Sequence, residues 1–428
     1  MSLAYFWIFI FLLAAGMPVV FALLVGPGLS LVVDGQELFF KALLSRLYNG
    51  MDSFPLMAVP FFILAGELMN SGGITQRIVH FSQSLIGHVR GGLAQVNILS
   101  SILFAGLSGS AVADTSALGK MLIPAMEHNG YSRRFAAAIT AASSVIGPII
   151  PPSGIMILYA FIMNVSVGGM FAAGFVPGFM VAIGLMFVTS RLARLRNYPV
   201  AARKATWSER GTAFKDTFLA LLTPIILLGG IVAGVFTPTE AAAVAAGYAL
   251  VVSLFVLKTL RVDELPRVFI DAVTQSAVIL LLVGAAVTFA WIITVSGMAQ
   301  IIGEGMGNLT SNILLLLFLV NIFLFIVGMF LDAGPAILIL GPVLAPIFVS
   351  QGIDPLHFAV VMCVNVTVGL ATPPMGLVLF VAAAVSGEKV ESIAREALPF
   401  LAVEVLVIFL ITYFPAISLT LPRLLGFA

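Results

Sequence analysis

The chain has 428 residues, of which 61% are hydrophobic and 9% charged, with a formal net charge of +1. A water-soluble domain carries roughly a quarter charged residues, so this composition excludes a soluble globular protein, and the balanced charge gives no reason to expect nucleic acid as a partner. The lone Cys363 excludes a disulfide framework and a cysteine-based metal site.

The first charge is Asp34, and Leu3–Val25 is apolar enough to predict one bilayer crossing, which needs about 20 residues. No small-residue cleavage site follows a short apolar core, so the stretch reads as a retained helix. Leu29–Gly50, with Lys41 and Arg46, reads as an interfacial scaffold helix. The uncharged run Phe135–Ser190 is too long for one span; Pro148, Pro151 and Pro152 interrupt it, and Asn164–Gly169 offers a turn. Further runs are Thr217–Thr239, Ala241–Leu257, Ala272–Gly303, Gly305–Leu331 and Pro355–Gly387, and Leu398–Pro422 is broken only by Glu404.

The soluble loop Arg191–Lys215 holds Arg191, Arg194, Arg196, Arg203, Lys204, Arg210 and Lys215, which marks the cytoplasmic side. Traced from there, the chain returns to the cytoplasm near Arg77–Arg90, Arg133–Arg134, Lys258–Arg267 and Lys389–Arg395. Lys41, Arg46 and Arg423 fall outside, and Lys120 sits within the membrane region. The trace closes only if residues 92–129 and 312–352 each enter and leave on one face, as re-entrant helical hairpins. It predicts a cytoplasmic N-terminus and a periplasmic C-terminus.

At an offset of 222 the sequence matches itself without gaps. Gly106 meets Gly328, Gly119 meets Gly341, Pro124 meets Pro346, Gly130 meets Gly352 and Gly147 meets Gly369. Pro151 and Pro152 meet Pro373 and Pro374, and Gly154 meets Gly376. Most matches fix backbone geometry, whereas chance pairing of apolar sequence would align Leu, Ala and Val. With one hairpin assigned to each face, the repeat is inverted. The predicted class is an all-α polytopic membrane protein with inverted repeats, two re-entrant hairpins and two broken helices, which points to a transporter.

Each break follows one pattern, Ser143-Ser144-Val145-Ile146-Gly147-Pro148 up to Pro151-Pro152, and Asn365-Val366-Thr367-Val368-Gly369 up to Thr372-Pro373-Pro374. Proline leaves a carbonyl one turn earlier without its donor, which bilayer depth tolerates only beside protein or a watery cavity. Those carbonyls, with the side-chain oxygens of Ser143, Ser144, Asn365, Thr367 and Thr372, suit a hard cation such as sodium. The hairpin tips, Gly106-Leu107-Ser108-Gly109-Ser110 and Gly328 to Pro335, would carry helix ends toward the same region.

Plainer readings stand beside these. Ser108 and Ser110 also fit close helix packing, and Asp114, like Asp332 an intramembrane acid, also fits a helix cap. Thr237-Pro238-Thr239-Glu240 reads as a capping box, and Gly230 with Gly234 as a close helix contact. His80, His88, His128 and His357 lie near segment ends without ligand spacing and read as interfacial. No GxxxxGK[ST] loop is present, so this chain does not drive transport by hydrolysing ATP. Gly106-Leu107-Ser108-Gly109 matches the GxSG nucleophile motif of rhomboid intramembrane serine proteases, which leaves an enzyme as the rival class.

Taken together, Phe104–Ser116, Gly147–Ser153, Phe236–Ala242 and Ala371–Gly376 resemble the large membrane subunit of TRAP (tripartite ATP-independent periplasmic) transporters, the DctM-like family. The resemblance spreads over most of the chain. It implies an elevator-type transporter, not an enzyme, in the bacterial inner membrane and surrounded by lipid. It also implies two partners, a small four-helix membrane subunit and a periplasmic binding protein that delivers an organic acid, such as sialic acid or a C4-dicarboxylate. The segment around Lys41 and Arg46 would then meet the small subunit.

The implied division is a scaffold with arm helices over 1–91, a first core repeat over 92–165, scaffold helices over 166–311 with the basic loop 191–215, a second core repeat over 312–388 and a last scaffold helix over 389–428. The implied coupling ion is sodium, about two or more per cycle. Its ligands would come from Ser108, Ser110, Ser144, Gly147, Pro148, Asn365, Thr367, Gly369 and Thr372. Asp332, Thr115, Ser143, Pro151 and Pro373 would line the substrate cavity. A sodium/dicarboxylate carrier that needs no binding protein shares most of these features.

Overall fold

A computed structural model describes residues 4–36, 39–198, 203–310 and 312–427. Leu3 and residues 199–202 of the basic loop therefore lie outside the described residues, as does Ser311 between two predicted segments. Every regular element among the described residues is helical, and eight helical stretches are long and apolar enough to cross a bilayer. In lipid the backbone must bond to itself, and a helix does so within one segment.

The first half runs through α1 (Ala4–Ala14), α2 (Val19–Val33), α3 (Phe40–Met51), α4 (Ala58–Ser71), α5 (Ile74–Ile86), α6 (Gly92–Ser108), α7 (Ala111–His128), α8 (Arg133–Ser144), α9 (Gly154–Met163) and α10 (Val167–Leu195). The second runs through α11 (Trp207–Val232), α12 (Pro238–Val251), α13 (Leu265–Ser296), α14 (Met298–Leu309), α15 (Ile313–Phe330), α16 (Ala333–Ser350), α17 (Pro355–Gly369), α18 (Leu377–Ser386), α19 (Val390–Tyr413) and α20 (Ala416–Leu424). The repeat is visible in the element boundaries. Ala111 and His128 bound α7, and Ala333 and Ser350, each 222 positions later, bound α16.

Four expectations about single segments change. Leu3–Val25 is not one crossing: α1 stops at Ala14, Gly16 takes φ +84°, and α2 starts after Pro18. The two helices fold back on each other, with a Cβ on Gly26 only 3.1 Å from the Tyr5 carbonyl oxygen. Leu29–Gly50 is likewise split between α2 and α3, and α3 seats Gly50 against Val287 of α13. The runs Ala272–Gly303 and Gly305–Leu331 are re-divided at Gly297, whose φ of +69° ends α13 and frees the short helix α14. Gly230 and Gly234 make no shared helix contact: Gly230 seats the Phe236 ring and Gly234 is a left-handed turn residue.

The capping box is present as expected. The Thr237 hydroxyl accepts from the Glu240 amide at 3.3 Å and the Glu240 carboxylate accepts from the Thr237 amide at 2.8 Å. Helix starts in the central layer are capped in the same economical way. Ser110, Ser153 and Asp332 each accept a backbone N–H at the start of α7, α9 and α16, which satisfies a donor the helix leaves unpaired.

Two helical hairpins, α6–α7 and α15–α16, and two interrupted helices, α8–α9 and α17–α18, form the centre. The repeats cross over: α9, leaving the first break, packs on α16 and α17, while α18, leaving the second, packs on α7 and α8. This exchange ties the two repeats into one packed unit. Long helices α10, α11, α13 and α19, with α4 and α5, pack against it, and α12 packs outside on α4 and α11. The Phe135 and Phe400 rings, 5.8 Å apart, join α8 to α19.

Candidate functional site

The first hairpin tip closes onto its own repeat's break. Gly109 ends α6 with φ +58°, and a Cβ there would stand 2.8 Å from the Pro152 carbonyl oxygen. Only glycine suits both the left-handed turn and that approach. Next to it, the Ser108 hydroxyl donates to the Asp114 carboxylate. Asp114 is fully buried, its second oxygen has no hydrogen-bond partner among the described residues, and that oxygen lies where a side chain on Gly147 would stand. Ser108, Asp114 and Gly147 therefore share one point at the break.

The break itself supplies oxygens. After Ser144 the backbone tightens, with Val145, Ile146 and Gly147 amides bonding only three residues back. No backbone N–H among the described residues reaches the carbonyls of Gly147, Pro148, Ile149, Ile150, Pro151 or Pro152. The Ser144 hydroxyl donates to the Thr140 carbonyl at 2.7 Å, which leaves its lone pairs available. Ser143 is otherwise engaged: Ser101 donates to it at 3.0 Å, and it donates to Asn97 at 3.2 Å.

The second repeat builds an equivalent contact from different residues. A Cβ on Gly369 would stand 2.5 Å from the Gly328 Cα, so hairpin α15–α16 rests backbone to backbone on the break. Asn365, the counterpart of Ser143, donates its amide to the Asn321 side chain at 2.6 Å and to the Asn321 carbonyl at 3.2 Å. Both its donors face α15, and its own Oδ1 is buried without a partner among the described residues. Asn321 in turn donates to Thr412 at 3.1 Å, and Thr412 offers its carbonyl to the His357 ring at 3.2 Å. His357 is thus buried between α17, α19 and α20, not interfacial. Both Pro151–Pro152 and Pro373–Pro374 bonds are cis.

Several predicted residues converge and others do not. Ser108, Ser144, Gly147 and Pro148 meet at the first break, and Asn365 and Gly369 at the second. Ser110 caps α7, and the Thr115, Thr367 and Thr372 hydroxyls bond back to Ala111, Cys363 and Val368 in their own helices. Asp332 is exposed and caps α16. Pro151 is buried at the first break and Pro373 half-buried at the second. Asn97, Ser101, Asn321 and Thr412 escaped the sequence reading, although an asparagine inside the run Ile313-Leu314-Leu315-Leu316-Leu317-Phe318-Leu319-Val320-Asn321 is itself a signal. Glu404 is fully buried on α19 with neither carboxylate oxygen hydrogen-bonded among the described residues.

These contacts are built from hard oxygen atoms, the donor type that a cation such as sodium takes. The family model described as "Tripartite ATP-independent periplasmic transporter, DctM component" matches residues 6–417. The sialic acid TRAP transporter large permease protein SiaM of Vibrio cholerae is 40% identical over 414 residues, covering 96% of both chains. The C4-dicarboxylate TRAP transporter large permease protein DctM of Rhodobacter capsulatus is 36% identical over 439 residues, covering 99% of both. Among solved structures, the YdaH transporter of Alcanivorax borkumensis superimposes with a TM-score of 0.66 at 18% identity, over 91% of this chain and 90% of that one.

Proposed function

The chain belongs to the DctM-component family of tripartite ATP-independent periplasmic transporters, and on that premise we propose that it imports an organic acid in symport with sodium. It is a multi-pass membrane permease subunit and not an enzyme. Large permeases of this family work with a small membrane subunit and a periplasmic binding protein, and we assign this chain the same two partners. The relatives named for sialic acid and for C4-dicarboxylates support a carboxylate as the substrate.

The observation that carries the sodium reading is the pair of buried, unpartnered oxygens, Asp114 Oδ2 and Asn365 Oδ1, one at each break. Asp114 Oδ2 lies beside the carbonyls of the first break, which no backbone N–H among the described residues reaches, and Asn365 Oδ1 stands one helical turn before Gly369; such oxygens suit a hard cation. Ser108, Ser144, Gly147 and Pro148 would hold one ion, and Asn365 and Gly369, with Thr367 and Thr372 nearby, a second. Asp114 joins the first set. Asp332, Thr115, Ser143, Pro151 and Pro373 remain the residues assigned to the substrate side. In this reading the ions fix the hairpin tips on the breaks, and the two hairpins with the two broken helices (92–165 and 312–388) then slide past the scaffold (1–91, 166–311 and 389–428) as an elevator.

Orientation follows from the basic loops. With 77–90 and 191–215 assigned to the cytoplasm, we place the C-terminus on the periplasmic side, and the fold-back of α1 on α2 supports placing the N-terminus there too. The expectation of a cytoplasmic N-terminus counted Leu3–Val25 as one crossing. Uptake of labelled succinate and sialic acid into proteoliposomes tests the reading. Uptake that requires an inward sodium gradient and both partners supports it; sodium-driven uptake without a binding protein would replace it with a lone carrier.

A further inference from the structure

Between α4–α5 and the outer face of α7 lies a cavity of about 630 Å³, lined by Glu67, Asn70, Thr75, Gln76, Ser116 and Lys120. Helix α7 is divided along its length. Asp114 is buried toward the break and Leu118 and Leu122 in a cluster with Leu68, Ile74 and Ile78, while Ala113, Ser116, Ala117, Lys120 and Met121 line the cavity. The lined face therefore begins three residues after Ser110 of the hairpin tip and reaches Lys120 about 10 Å further on, at 1.5 Å per residue. A lysine in the membrane region is expensive unless it faces water or a counter-charge. Lys120 has exposure to the cavity but no ion pair among the described residues.

On the opposite wall Glu67 of α4 makes no ion pair with Lys120 among the described residues, and its carboxylate accepts from Gln275 at 2.8 Å. The Asn70 oxygen accepts from Thr75 at 3.2 Å, which leaves its amide as a donor. The matching cavity beside the second hairpin, about 350 Å³, is lined by Phe289, Ile293, Leu316, Leu340 and other apolar side chains, and the repeat partner of Lys120 is Pro342. Of these two cavities the one beside the first hairpin is polar and carries a cation.

We propose that Lys120 is a binding point for the carboxylate of the transported acid, in a passage running from the first hairpin tip along α7 between core and scaffold. This rests on the transport reading above. The ammonium would hold the anion by a charge-assisted hydrogen bond, with the Asn70 amide and Ser116 hydroxyl completing its contacts.

The test uses the complete transporter with its small subunit and binding protein. Because Cys363 is buried, Ser116→Cys provides a single accessible thiol one turn from Lys120. Succinate or sialic acid should slow its labelling by a negatively charged methanethiosulfonate reagent, and Lys120→Met should abolish that protection. Lys120→Met should also lower uptake at sub-saturating acid about tenfold, the loss of one charge-assisted hydrogen bond, while Lys120→Arg keeps most of it. Thermal unfolding in detergent confirms that each variant folds. Protection and uptake that survive Lys120→Met would overturn the proposal. So would an equal loss from Glu67→Gln with rescue by exchanging the two charges, since Lys120 would then serve a contact with Glu67. Wild-type protein that takes up neither acid counts against the transport reading, and the Ser116→Cys labelling, which needs no transport, still decides the carboxylate site.

Discussion

The second carboxylate oxygen of Asp114 occupies the space that any side chain on Gly147 would fill. One residue belongs to the first hairpin and the other to the first helix break, so their contact measures how firmly the tip is seated. It joins an acid that bonds to Ser108 to a stretch of backbone whose carbonyls lack donors.

Gly147→Ala should therefore push the tip off the break. Sodium-driven uptake is expected to fall about tenfold or more, since displacing a buried carboxylate from its partners costs a few kcal/mol. Gly211→Ala, with no atom near the added methyl, serves as the control that leaves uptake unchanged. Proteoliposome uptake at matched protein density checks both.

Gly369→Ala should act alike from the other side. Its Cβ would meet the Gly328 backbone at 2.5 Å, and backbone cannot rotate away as a flexible side chain does. Transport is expected to be lost in this variant while Gly352→Ala, at an open turn with φ +88°, lowers only stability, by about 1 kcal/mol. Uptake and thermal unfolding, measured together, separate the two effects.

Asn321→Leu tests how the Asn365 amide is oriented. Without the Asn321 side-chain oxygen the amide keeps only the residue-321 backbone carbonyl as acceptor, its orientation loosens, and one buried N–H is left unsatisfied. A stability loss of about 1–3 kcal/mol is expected, with a rise in the sodium concentration needed for half-maximal uptake. A stability loss with unchanged sodium dependence would make Asn321 a packing residue only.

At the start of α11 the Thr206 backbone amide donates to the Glu209 carboxylate at 2.7 Å, and this bond, with the nearby Thr206 side chain, holds the carboxylate below its ordinary range. A group lowered in the folded state contributes stability at pH above its ordinary value and loses it as pH falls through the folded value. Amide exchange in the first turn of α11 should therefore quicken, after correction for intrinsic rates, as the pH drops below that range. Glu209→Gln should show the faster exchange already at pH 7 and little further change.

Much of this architecture is legible in the sequence because glycine and proline write it directly. Gly147, Pro151 and Pro152 and their partners 222 positions on locate both breaks, and the same offset aligns α7 with α16. Ser108, Ser144 and Asn365 stand out as polar residues in apolar runs. What escapes is pairing between helices distant in sequence. Nothing local to Ser143 announces that Asn97 and Ser101 occupy it, or that Asn321 turns Asn365. The N-terminal fold-back was missed for another reason: Gly16 and Pro18 interrupt a run whose hydropathy alone satisfies one crossing, and hydropathy carries no direction.

The most direct test of the central claim is binding of labelled sodium to the purified large and small subunits in detergent, compared between wild type and the Ser144→Ala and Asn365→Ala variants. Saturable binding that weakens in both variants, without a matching fall in thermal stability, is the expected result. Binding that is absent from the wild type, or unchanged in both variants, would contradict the assignment of the two breaks as the sodium sites.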